Sequence, residues 1–181
     1  MIKFDIAILG WLQNHLIPDS IPFFQFISDT TTLVSVAVVS LILLLSIIKK
    51  SKTTRVKVFL LAIVLILVAL MSQGLKFFIE RDRPFKTYPH IEKLSEAGSS
   101  SFPSGHAMEA FALATALSLL FPKKKTIIPV FLWAILVAYS RMALGVHYPS
   151  DVLAGILIGI LLGWIVPWIF KRTGFIQLPL N

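Results

Sequence analysis

Residues 56–85 read VKVFLLAIVLILVALMSQGLKFFIERDRPF. Positions 56–79 form an apolar run long enough to cross the roughly 30 Å hydrocarbon core of a bilayer as a helix, which takes about 20 residues. Lys76 lies inside that run, and Arg81 and Arg83 follow within a few residues. An ionisable side chain in such a place is costly unless it snorkels to the surface or finds a partner. The stretch therefore predicts both a membrane span and a polar feature at one end of it.

The rest of the 181-residue chain repeats the pattern. It is 56% hydrophobic and 14% charged, with mean hydropathy +0.84, too little polar surface for a soluble domain of this length. Further apolar runs occupy about 31–48, 105–121, 127–145 and 150–170. Together these predict an all-α, polytopic transmembrane helical bundle of about five spans, forming a single domain over 1–181. Residues 3–16 place Phe4, Ile8, Trp11 and Leu12 at helical spacing but are too short to span, so they read as an interfacial helix closed by Pro18. The stretch around Asp19, Pro22 and Asp29 reads as turns. The N-terminus lacks the basic region, apolar core and cleavage site of a signal peptide. Cysteine is absent, which removes disulfides and thiolate metal sites.

The net charge of +8 does not point to nucleic acid, because the basic residues sit in short loops. Lys49, Lys50, Lys52, Arg55 and Lys57 precede the second span, Lys123, Lys124 and Lys125 separate the third from the fourth, and Lys171 and Arg172 follow the fifth. With five spans these fall on one face, which the positive-inside rule makes cytoplasmic. All nine acidic residues lie in or next to the opposite side. The loop 80–104 and the turn 146–149 are accordingly expected to emerge externally.

Three polar clusters reach that external face: KFFIERDRPF (76–85), SSSFPSGH (99–106) and SRMALGVHYPSD (140–151). They bring Lys76, Arg83 and Arg141 together. Guanidiniums suit bidentate phosphate recognition and a lysine adds a point charge, so the expected ligand is a polyanion. Pro103 and Gly105 bracket Ser104 where the third span begins, so backbone N–H groups there face the pocket as at a phosphate-binding helix N-terminus. Ser104 is also a plausible N-cap. Pro149 suits the first turn of the last span, which leaves His147 on the turn and lets Asp151 reach back to one imidazole nitrogen. The other nitrogen is then unprotonated and nucleophilic. His106, from another helix, is a candidate proton donor to a leaving group. Two histidines and an aspartate are also a zinc-type set, but three adjacent cations repel a divalent ion, so no metal and no other cofactor is expected. His15 and His90 belong to no cluster.

The spacing Lys76, six residues, Arg83-Pro84; then Pro103-Ser104-Gly105-His106; then Ser140-Arg141, five residues, His147, three residues, Asp151 resembles the type 2 phosphatidic acid phosphatase family, which shares its site with vanadium haloperoxidases. The resemblance implies a six-helix core and a metal-independent phosphatase. It further implies that His147 attacks phosphorus to form a phosphohistidine supported by Asp151, and that His106 protonates the leaving group. Lys76, Arg83, Ser104, Gly105 and Arg141 are then the phosphate-binding residues. Substrates implied are membrane lipids with a terminal phosphate: undecaprenyl diphosphate, phosphatidylglycerophosphate, phosphatidic acid or lipid A, met in a bacterial cytoplasmic membrane at its external face. Transfer of the phosphoryl group to a second lipid is an alternative; a non-catalytic anion transporter or a vanadate-dependent haloperoxidase fits the residues less well. The sequence is silent on oligomeric state. Gly155, Gly159 and Gly163, at four-residue intervals, suit close helix packing, either within the chain or against a second copy.

Overall fold

The computed structural model of the chain describes residues 2–98 and 100–174; Ser99 of the second cluster and positions 175–181 of the expected domain lie outside them. Among the described residues the regular elements are all helical: α1 (Ile2–Asn14), a 3-10 turn (Pro18–Ser20), α2 (Ile21–Asp29), α3 (Thr31–Ile48), α4 (Lys52–Ile79), α5 (Pro84–Thr87), α6 (Gly105–Leu120), α7 (Lys124–Ala143) and α8 (Pro149–Arg172). Helices α3, α4, α7 and α8 are long and apolar enough to cross a membrane, and α6 is a shorter apolar helix. The chain is an integral membrane protein; four of the five expected spans are these long helices to within a few residues, and the expected third is α6, which is shorter than a full span.

Helix α6 stands at the centre, packed by α4, α7 and α8. Its 16 residues include five buried alanines, and small side chains allow close approach on every side. Leu60, Leu61, Val64 and Val68 of α4 meet Met108, Leu113 and Leu117 on one flank, while Ala134, Val137 and Ala138 of α7 meet Ala107, Ala110 and Ala114 on another. Helix α3 is arranged the other way round. It buries Thr31, Ser35 and Ser46 and exposes Leu33, Val36, Leu41, Leu44 and Ile47. Its Thr31 and Ser35 hydroxyls donate to carbonyls one turn back, so polarity is satisfied locally and the apolar face is left for lipid.

The glycine stripe of α8 is an internal seam. A Cβ at Gly155 would sit 2.5 Å from the Ser104 carbonyl oxygen, at Gly159 2.4 Å from that of Met108, and at Gly163 2.5 Å from that of Ala112. Helix α8 thus lies backbone to backbone on α6.

Two expectations need correction. The stretch expected as turns is the helix α2, with Pro22 in its first turn, where a proline costs nothing, and Asp29 at its end. The loop 80–104 contains the short helix α5. The expected interfacial segment is the helix α1, with Leu9 and Leu12 buried while Phe4 and Trp11 stay exposed. It is pinned by Gln13, which donates to the Glu92 carbonyl at 2.8 Å and accepts from the Glu92 N–H at 3.0 Å. Gly145 has φ +70°, and a Cβ there would meet the Glu92 carbonyl and the Gln13 amide, so only glycine lets this loop close. His15 stacks on Trp11 at 4.8 Å and its Nδ1 lies 2.8 Å from the Trp11 carbonyl, so it is spent on its own helix.

At the basic end of the bundle, Lys57 donates to the Leu120 carbonyl at 2.5 Å and lies over the Phe121 ring. It satisfies a carbonyl left open at the C-terminus of α6 and matches the negative end of that helix dipole. The three polar clusters lie at the other end.

Candidate active site

Four helix termini build the site, the ends of α4 and α7 and the starts of α6 and α8. Helix α4 ends at Glu80 in a left-handed conformation (φ 43°), which turns the chain back across the bundle. Arg83 follows as the residue before α5, buried to 3% exposure rather than solvated as a loop arginine. Its Nη1 donates to the Val146 carbonyl at 2.7 Å and lies 3.4 Å from Nε2 of His147. Arg141, in the last turn of α7, is equally buried and donates to the hydroxyl of Ser28 in α2. Lys76, half-buried on α4, borders two cavities. One, of about 450 Å³, also has Arg81, Arg83, Lys86 and Ser100 on its walls. The other, of about 270 Å³, has Ser72, Gly105, His106 and Glu109.

Ser104 takes the N-cap position of α6, but its hydroxyl makes no capping bond. The N–H groups of Gly105, His106 and Ala107 have no intrahelical acceptor by position. Gly105 lies close to α4: a Cβ there would stand 2.9 Å from the Ser72 hydroxyl, which would have to rotate aside, and 4.0 Å from the Lys76 ammonium. His106, half-buried in the first turn, is within electrostatic reach of Arg141, His147, Lys76 and Arg83.

Helix α8 begins at Pro149 as expected, with Tyr148 extended before it. Asp151 is fully buried and His147 nearly so. The carboxylate does face the imidazole, with Oδ2 3.8 Å from Nδ1, which is too long for a hydrogen bond. That oxygen instead accepts from the Ser101 hydroxyl at 2.5 Å and the Tyr148 N–H at 3.0 Å, and Oδ1 accepts from Arg81 at 2.5 Å. Burial, above all, pushes the His147 imidazole down to about 3; Asp151 opposes that shift, and Arg141 and Arg83 add to it. At neutral pH the ring is uncharged, with Nε2 turned toward Arg83 and Nδ1 toward Asp151.

Among the described residues, the buried side-chain polar atoms without a hydrogen-bond partner are Ser104 Oγ, Arg141 Nε and His147 Nδ1. Orphaned buried polar groups are rare in folded proteins, and here each belongs to one of the residues singled out from sequence. Sequence reasoning missed the groups that support them: Ser28, Ser101, Arg81 and Asp5. Arg81 and Ser101 lie inside two of the polar clusters and Asp5 is a carboxylate within an apolar helix, which were signals to follow; Ser28 gave none.

The PAP2 superfamily profile matches residues 57–175. Among characterised proteins, the chain is 39% identical over 74 residues to a lipid A 4'-phosphatase of Bacteroides thetaiotaomicron, an alignment covering 41% of this chain and 33% of that one. It is 36% identical over 121 residues to an undecaprenyl-diphosphatase of Sulfolobus acidocaldarius, covering 66% and 55%. The matched part thus spans about a third to a half of these relatives. Among solved structures, it resembles the transmembrane PAP2-type phosphatidylglycerolphosphate phosphatase of Bacillus subtilis with TM-score 0.79 and 26% identity, over 94% of this chain and 86% of that one. Aquifex aeolicus LpxE gives TM-score 0.77 and 30% identity over 90% and 94%. A profile match that takes in all three motifs, joined to a shared fold over nine-tenths of the length, makes this chain a member of the PAP2 superfamily.

Proposed function

We propose that the protein is a lipid phosphatase that removes the terminal phosphate of a lipid phosphate or diphosphate through a phosphohistidine, without a metal cofactor. The observation that carries this reading is the coincidence of the three orphaned buried polar atoms with the cationic site. A phosphoryl group seated among Lys76, Arg83 and Arg141 offers acceptors to Ser104 Oγ, to Arg141 Nε and to the open N–H groups at Gly105 and His106. Fixed donors and charges of this kind are what phosphoryl transfer chiefly needs.

In the first step the Nε2 lone pair of His147 attacks phosphorus, the phosphorus–oxygen bond to the lipid breaks, and His106 gives its proton to the departing oxygen. In the second, water attacks phosphorus while His106 takes its proton, the phosphorus–nitrogen bond breaks, and inorganic phosphate leaves. Asp151 supports the charge that appears on the His147 ring. The substrate class rests on the membrane setting and on relatives named for lipid A, undecaprenyl diphosphate and phosphatidylglycerophosphate. The chain works as one unit in a bacterial cytoplasmic membrane, with the lysine-rich end cytoplasmic and the site external.

The test is phosphate release by the detergent-purified protein from undecaprenyl diphosphate, phosphatidylglycerophosphate, phosphatidic acid and lipid A, in excess EDTA, beside His147→Ala. Release that survives EDTA and is lost in the variant is the expected result. A newly phosphorylated lipid in place of inorganic phosphate means transfer, and no turnover of any lipid overturns the proposal.

A further inference from the structure

The Asp151 carboxylate has a second partner that the His147 chemistry does not explain. Arg81 binds it through Nη1 at 2.5 Å and, through Nη2, binds Asp5 of α1 at 3.1 Å. Asp5 is 2% exposed. It also accepts from the Ser150 N–H at 3.0 Å and the Ser150 hydroxyl at 2.6 Å, which ties it to the first turn of α8. The guanidinium lies 3.9 Å from the centre of the Tyr148 ring, so its position is fixed from three sides.

An arginine on Asp151 alone weakens what Asp151 can do, because a neutralised carboxylate stabilises little charge on a neighbouring ring. Asp5 on the other fork of the same guanidinium changes this. The two carboxylates and the guanidinium together keep one net negative charge; Asp151 is the member that faces His147, and both carboxylates are buried, where charges are weakly screened. We propose that Asp5 and Arg81 are positioning residues of the reaction. Arg81 fixes the carboxylate of Asp151, and Asp5 offsets the charge by which Arg81 otherwise cancels it. Helix α1 is thereby a working part of the site as well as a cover. This rests on the phosphohistidine reading above.

The test compares Asp5→Asn, Arg81→Gln and the double variant, as full chains in detergent, on whichever lipid phosphate the wild type hydrolyses, with helix content and thermal midpoint measured alongside. Asp5→Asn is expected to lower kcat about tenfold or more with KM within about twofold. Arg81→Gln, although it breaks the link between the two carboxylates, is expected to lower kcat less, and the double variant to be faster than Asp5→Asn because Asp151 regains its charge. A role confined to seating α1 predicts the reverse order and a double variant slower than both singles. Either of those, or kcat within twofold of wild type in Asp5→Asn, overturns the inference. Should Asp5→Asn fail to fold, Asp5→Ser carries the same expectation. A wild type that hydrolyses no lipid phosphate fails the proposed function instead, so the two failures are separable.

Discussion

Gly155→Ala and Gly163→Ala make the same chemical change at two heights of one seam. At Gly155 the new methyl would stand 2.5 Å from the Ser104 carbonyl oxygen and at Gly163 2.5 Å from that of Ala112, so in both cases α8 must move off α6 by about 1 Å to restore ordinary contact. The obstructing atoms are backbone and cannot rotate aside, which places the overpacking cost near the upper end of about 1–3 kcal/mol. Alanine returns about 1 kcal/mol of helix propensity over glycine. The net loss is about 2 kcal/mol at either site, a fall in thermal midpoint of roughly 4–8 °C. Activity separates them. Gly155 faces the residue that opens α6, and its own helix carries Asp151, so separation there moves the His147–Asp151 pair away from Ser104, Gly105 and His106. A displacement of about 1 Å between reacting groups costs around a hundredfold in rate. Gly163 lies eight residues, about 12 Å, further along, where the displacement tilts the seam at the basic end. The expected result is similar thermal midpoints, with phosphate release at least tenfold slower in Gly155→Ala than in Gly163→Ala. Equal turnover in the two variants, or a raised midpoint in either, refutes the reasoning.

Ser104→Ala removes a buried hydroxyl that makes no hydrogen bond; the thermal midpoint should hold or rise while phosphate release falls about tenfold to a thousandfold, as for loss of one transition-state donor. His147 is held down to about 3 in the folded protein against about 6.5 unfolded. Between those values the unfolded chain binds the extra proton, so this residue's contribution to stability is present above pH 6.5 and is lost as pH falls toward 3. Thermal midpoints from pH 7 to 4 should therefore fall less steeply in His147→Gln than in wild type. Lys57→Met breaks the bond to the Leu120 carbonyl at the far end of α6 and should cost about 1–2 kcal/mol in detergent unfolding with kcat unchanged.

The spans were legible because each apolar run is bounded by charge or proline, and a bilayer leaves a helix no other way to satisfy its backbone. Helix α2 was not, because Pro22 in its first turn and Asp29 at its end are also turn formers and the helix is only nine residues long. In the site, the residues proposed to meet substrate sit at fixed spacings and could be named from sequence. Their supports could not. Ser28 reaches Arg141 across 113 positions and Asp5 reaches Ser150 across 145, and no local pattern encodes a contact so distant. The pairing of Asp151 with His147 was legible as proximity, four residues apart over a helix start. That Ser101, Tyr148 and Arg81 already hold the carboxylate depended on how three termini converge.

The shortness of α6 bears on how a lipid meets the site. Its 16 residues give a length of about 24 Å against roughly 30 Å of hydrocarbon. With its C-terminus tied by Lys57 at the basic end, its first turn lies some way beneath the opposite surface, and Ser104 and His106 with it. Withdrawing an acyl or prenyl chain into water costs about 0.8 kcal/mol for each methylene exposed. Under the proposed function, a phosphate brought down to meet the helix would leave that chain among its neighbours, so the lipid would be processed without extraction and only the released ion would have to climb out.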